Sequence, residues 1–86
     1  MSVNEIIDLL VQKALEKEIA LKELFKLTKE QKHFIEEGDI RQVDNIVGKK
    51  QELIHDINQI DIAFLYSYKM LKRKLDIQTL EEIDHK

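Results

Sequence analysis

Few residues in this chain have the type and spacing to do chemistry. His33, His55 and His85 are too dispersed for an obvious metal site. His33 shares a helix face with Glu36 or Glu37, but two ligands do not make a site. There is no Cys, which excludes thiolate chemistry and disulfides. Lys69, Lys72, Arg73 and Lys74 form a basic cluster of the kind that is usually a solvated face. A catalytic Lys17 would need a cleft beside it, and its surroundings read as a continuous helical seam. No glycine-rich phosphate loop or nucleophile motif is present. No enzyme activity, cofactor or metal is expected.

Ile57-Asn58-Gln59-Ile60-Asp61 faintly resembles the helical pattern of the all-helical chorismate mutases, which hold a dicarboxylate with several cations, arginines above all. The only arginines here are Arg41 and Arg73, both outside that stretch, so the reading is set aside.

The remaining information lies in apolar periodicity. One stripe runs Val3, Ile7, Leu10, Ala14, Lys17, Leu21, Leu24, Thr28, Gln31, Ile35. A second runs Val43, Val47, Lys50, Ile54, Ile57, Asp61, Phe64, Tyr68, Leu71, Leu75. Both advance by alternating threes and fours, the spacing of one helix face. Folded back on Gly38-Asp39, they match layer by layer: Val3 meets Leu75, Ala14 meets Phe64, Lys17 meets Asp61 and Thr28 meets Lys50. A Lys17–Asp61 pair inside such a seam would fix register without adding much stability.

Capping signals agree. Ser2-Val3-Asn4-Glu5 is a capping box, Gly38 suits a left-handed helix end, and Asp39 with Gln42 starts the next helix. Helix 1 is predicted over about 3–37, the turn at 38–39, and helix 2 over about 40–75, each helix roughly 50 Å long. Asp76-Ile77-Gln78 reads as a linker, and Thr79 as the cap of a short helix over about 80–85. Gly48, inside helix 2, reads as an exposed, tolerated glycine or as a point of close approach. The expected fold is all-α: residues 1–86 as a long antiparallel two-helix hairpin, a coiled coil, with a short C-terminal helix, dimerising into a four-helix bundle.

Beside the predicted seam runs a second apolar row. It comprises Ile6, Ala20, Leu27 and Phe34 in helix 1, and Ile46, Leu53 and Ile60 in helix 2. Leu27 pairs with Leu53, and Phe34 with Ile46. Such a wide face needs a cover, either a second hairpin or a partner's amphipathic helix. Ala20, Leu27, Phe34, Ile46, Leu53 and Ile60 are therefore the expected partner-binding residues. The segment from Ile60 to Tyr68 is apolar nearly all round, so Leu65 and Tyr66 join them at the open end, where the short helix could also fold back. A hairpin this small buries too little surface to be comfortable alone. A net charge of −3 suggests neither a nucleic-acid nor an anionic-membrane footprint. No segment approaches the ~18 apolar residues of a membrane span. The N-terminus carries no basic patch leading into an apolar stretch, so a soluble cytoplasmic protein is expected.

Glu37-Gly38-Asp39-Ile40, Lys49-Lys50-Gln51-Glu52-Leu53-Ile54 and Ile57-Asn58-Gln59-Ile60-Asp61 resemble the flagellar export chaperones of the FlgN family. Thr28-Lys29-Glu30-Gln31 before the turn looks like that family too. The resemblance covers roughly 10–75; the FliT-type chaperones share the glycine–aspartate turn. It implies a cytoplasmic, cofactor-free chaperone that holds the C-terminal helical segment of a hook–filament junction protein before secretion. Family members usually continue into a longer C-terminal region than the 76–86 present here. The alternative is a structural or regulatory coiled-coil dimerisation module with no secretion client.

Overall fold

In the computed structural model the backbone is described for residues 1–84 and the side chains for 1–77. Two helices make up the fold, α1 (Val3–Glu36) and α2 (Ile40–Asp84). They pack antiparallel into a rod of 71 × 16 × 15 Å. Its length is that of α2 alone at 1.5 Å per residue.

Both helix starts are capped as the sequence predicts. The Glu5 amide donates to Ser2 Oγ at 3.1 Å, and the Ser2 amide donates to Glu5 Oε1 at 3.2 Å. The Ser2 amide, with the Ser2 hydroxyl beside it, holds the Glu5 carboxyl below its ordinary range, because both favour its ionised form. At the tip, Gly38 takes φ +71°, a conformation costly for any residue with a Cβ. The Asp39 amide then reaches the Phe34 carbonyl at 2.9 Å, and the Gly38 amide the Ile35 carbonyl at 3.1 Å. This is the Schellman closure, which satisfies carbonyls that a helix end leaves open. Asp39 Oδ1 accepts from the Gln42 amide at 3.2 Å and starts α2.

Two expectations are corrected. First, there is no break near Leu75: α2 continues to Asp84, with neither the linker at 76–78 nor a separate short helix. Nothing in 76–79 stops a helix, since the segment lacks Gly and Pro, and a Thr three residues before a Glu fits a helix interior as well as a start. His85 and Lys86 lie outside the described residues. α2 therefore overhangs the start of α1, where the Lys74 ammonium contacts the Met1 carbonyl.

Second, each helix is rotated by one row from the predicted seam. The row expected to lie beside the seam is inside it. Ile6, Ala20, Leu27 and Ile46 are buried, and Phe34, Leu53 and Ile60 are half-buried. Val3, Leu10, Leu24, Val43, Ile57 and Leu71 share the seam with them. The row Ile7, Ala14, Leu21, Thr28, Ile35 and Val47, Ile54, Asp61, Tyr68, Leu75, expected inside, lies on an exposed shoulder.

The reason is visible toward the tip. The buried row there is entirely apolar, from Ala20 to Phe34 and from Ile46 to Ile60. The rejected row would have placed Thr28 and the Asp61 carboxylate in the seam, and a desolvated charge costs several kcal/mol. Polar residues that do enter the seam are partnered. Lys50 donates to Gln31 Oε1 at 2.9 Å, and the buried Ser67 hydroxyl donates to the Ala63 carbonyl at 2.9 Å. Lys50 thus meets Gln31, not the expected Thr28, whose hydroxyl donates to the Leu24 carbonyl of its own helix at 2.9 Å. Lys17 and Asp61 do face each other, at 2.7 Å, but on the half-exposed shoulder.

Gly48 is exposed, and a methyl group added there would meet nothing within 4 Å. It is the tolerated glycine, not a point of close helix approach.

Candidate partner-binding surfaces

Two helices cannot enclose all the apolar residues these helices carry. The chain exposes 6952 Å². A compact monomer of this mass would expose about 5,300 Å². The surplus of roughly 1,600 Å² is twice what each partner contributes to a standard protein–protein interface, about 800 Å².

Much of the apolar part lies on one broad side, here called the front. Ile7, Leu21, Ile35, Val47, Ile54, Tyr68 and Leu75 recur on it at seven- or fourteen-residue steps, each about one-third to three-fifths exposed. A two-fold axis normal to the hairpin relates antiparallel helices, so corresponding rows of α1 and α2 lie on the same side. The front stripe therefore runs the whole length of the paired helices. Near its middle is a cleft of about 270 Å³, lined by Ala14, Lys17, Leu21, Ile60, Asp61 and Phe64. The Lys17–Asp61 ion pair bridges the two helices at this cleft.

The back of the hairpin is different. It carries two shallow grooves with charged rims. One is bordered by Glu16, Lys22, Glu23, Lys26 and Asp56, with Ala20, Leu53 and Ile60 as apolar lining. The other is bordered by Lys29, Glu30 and Lys49, with Phe34 and Ile46. These grooves reach the edges of the expected partner-binding residues. Leu27 is buried between the helices.

The open end is the third surface. Val11, Leu15, Ile62, Leu65 and Tyr66 are each more than half exposed there, and Tyr66 reaches 68%. They lie at one height of the rod but on the outer faces of two different helices, Val11 and Leu15 on α1 and Ile62, Leu65 and Tyr66 on α2. Of the eight expected partner-binding residues, six thus line the hairpin's own seam, while Leu65 and Tyr66 stand free. What sequence reasoning missed was the front row as the uncovered one. The signal was Thr28 and Asp61, which make that row the poorer candidate for burial.

The remaining chemistry is sparse. Among the described residues, no three His, Cys, Asp or Glu side chains converge as a metal site, and no helix is long and apolar enough to cross a membrane. His33 stacks edge-on to Phe34 at 5.3 Å, and Lys29 lies 4.7 Å over the Phe25 ring. Both are helix-surface contacts.

No curated protein and no solved structure matches this chain. The family model described as FlgN protein does match, over residues 1–85. That span takes in the glycine–aspartate turn, both helices and all three surfaces, and the chain belongs to the FlgN family of flagellar export chaperones.

Proposed function

We propose that this chain binds the amphipathic C-terminal helical segment of a hook–filament junction protein in the cytoplasm and holds it until export. It does so without catalysis, metal or cofactor. The observation that carries this reading is the outer face of α2 toward the open end, where Ile62, Leu65 and Tyr66, spaced i, i+3, i+4, stand outside the seam and are over half exposed. Large apolar residues grouped this way mark an interaction site. An amphipathic helix laid across them would bury its own apolar face against theirs. Leu65 and Tyr66 are the proposed contacts. Ala20, Phe34, Ile46, Leu53 and Ile60 would meet a client only by way of the back grooves, and Leu27 only if the helices part.

The test is titration of a junction-protein C-terminal peptide, read by fluorescence anisotropy and circular dichroism. Saturable binding with a gain in helicity is expected. Leu65→Asp and Tyr66→Asp should each weaken it by at least tenfold while leaving the hairpin's thermal midpoint nearly unchanged. No binding at high micromolar peptide would count against the chaperone role. A second reading, a dimerisation module with no client, draws on the front stripe.

A further inference from the structure

We infer that the front stripe seats a second copy of this chain, with the two-fold axis running along the rod, so that both tips point the same way. The inference stands apart from the client reading, because it uses the front row, not the open-end residues Leu65 and Tyr66.

Length argues for a second copy as the occupant. The stripe extends from Ile7 to Ile35 on α1 and from Val47 to Leu75 on α2, and it is two helices wide. A single client helix would need about 30 residues to follow it and would cover only its midline. A second hairpin matches it in length and width by construction.

Charge fixes the direction. The stripe is interrupted by the Lys17–Asp61 pair, half-exposed at 40% and 47%. Rotating one hairpin half a turn about the rod axis lays its α1 over the partner's α2 at the same height. Each Lys17 then approaches an Asp61 of the other copy, and four charges alternate in sign around the axis. Running the hairpins tip to tail about the middle of the stripe instead lays α1 on α1 and α2 on α2, bringing Lys17 toward Lys17 and Asp61 toward Asp61. An ion pair in the middle of an apolar interface favours the arrangement that satisfies it.

The test uses the full chain and sedimentation equilibrium. Wild type should be dimeric at tens of micromolar. Ile54→Asp, at an exposed position outside the seam, should weaken self-association at least 100-fold while retaining the wild-type helical circular dichroism. Lys17→Asp places four acidic groups around the axis, and Asp61→Lys four basic ones. Each variant alone should dimerise at least tenfold more weakly than wild type, and an equimolar mixture should recover a heterodimer. A wild type that stays monomeric at several hundred micromolar overturns the proposal, whether or not the junction peptide then occupies the stripe. So does a mixture that associates no better than its components.

Discussion

The tip half and the open half of the hairpin are built from the same two helices but differ in how polar their seam is. Toward the tip, the seam holds Ala20, Leu27, Phe34, Ile46, Leu53 and Ile60, and the back is rimmed with Lys and Glu. Toward the open end, the matching seam row holds fully buried Ile6 together with Lys13, Ser67 and Lys74, while Val11, Leu15, Ile62, Leu65 and Tyr66 lie outside. The tip half is organised like a stable two-helix coiled coil. The open half keeps its closest packing at Ile6 but takes polar side chains into the rest of that row, and both halves leave large apolar residues outside, Ile19, Phe25 and Ile40 among them toward the tip. The tip half thus has the more apolar seam, and the client site proposed above lies at the other end of the same two helices.

The sharpest way to break this comparison is to truncate one leucine in each half. Leu27 is 6% exposed, Leu65 52%. Leu27→Ala should cost about 3 kcal/mol in urea unfolding, the usual loss for a buried leucine. In so small a fold that is a large share of the total. Leu65→Ala should cost less than about 1 kcal/mol, since exposed truncations remove little packing. Equal losses at the two sites would mean that the open half is as tightly packed as the tip, and the contrast between the halves would fail.

A smaller effect sharpens the account of the tip half. Gly48 lies on its outer surface, with open space where a Cβ would stand. Gly48→Ala should stabilise the hairpin by about 1 kcal/mol, through helix propensity and a less flexible unfolded chain. For a chain of this size that corresponds to a rise of roughly 4–8 °C in Tm. A drop in Tm would show that another surface approaches this glycine, and the tip would then have a hidden contact.

The hairpin itself was legible because its signals are local. Caps at Ser2 and Asp39, the glycine at the turn and the three–four spacing each act within a few residues. The Lys17–Asp61 contact was legible too, since folding back on a known turn determines which layers meet. Which row faces inward was harder to read. Three adjacent rows on each helix are mainly apolar, and rotating both helices by one row preserves nearly every layer match. The choice rests on differences of a few side chains, Thr28 and Asp61 against Leu27 and Ile60. The end of α2 was misread for a related reason. A Thr–Glu spacing marks a helix start only where the preceding helix has been stopped, and nothing before Thr79 stops it.

The smallest expected effect concerns the start of α1, where the open half begins. The Ser2 amide and hydroxyl hold Glu5 in its ionised form, lowering its folded-state pKa. A depressed carboxyl contributes stability that is present above its unfolded pKa, and loses it as pH falls through the lower folded value. Ser2→Ala removes the N-cap and should cost about 1 kcal/mol near neutral pH. Part of that difference comes from ionised Glu5, so the gap in Tm between wild type and Ser2→Ala should narrow as pH is taken from 6 to 3. Thermal melts of the two proteins across that range measure it directly. A gap that stays constant would mean that the Ser2 hydroxyl stabilises the helix start through the Glu5 amide alone and does not act on the Glu5 carboxylate.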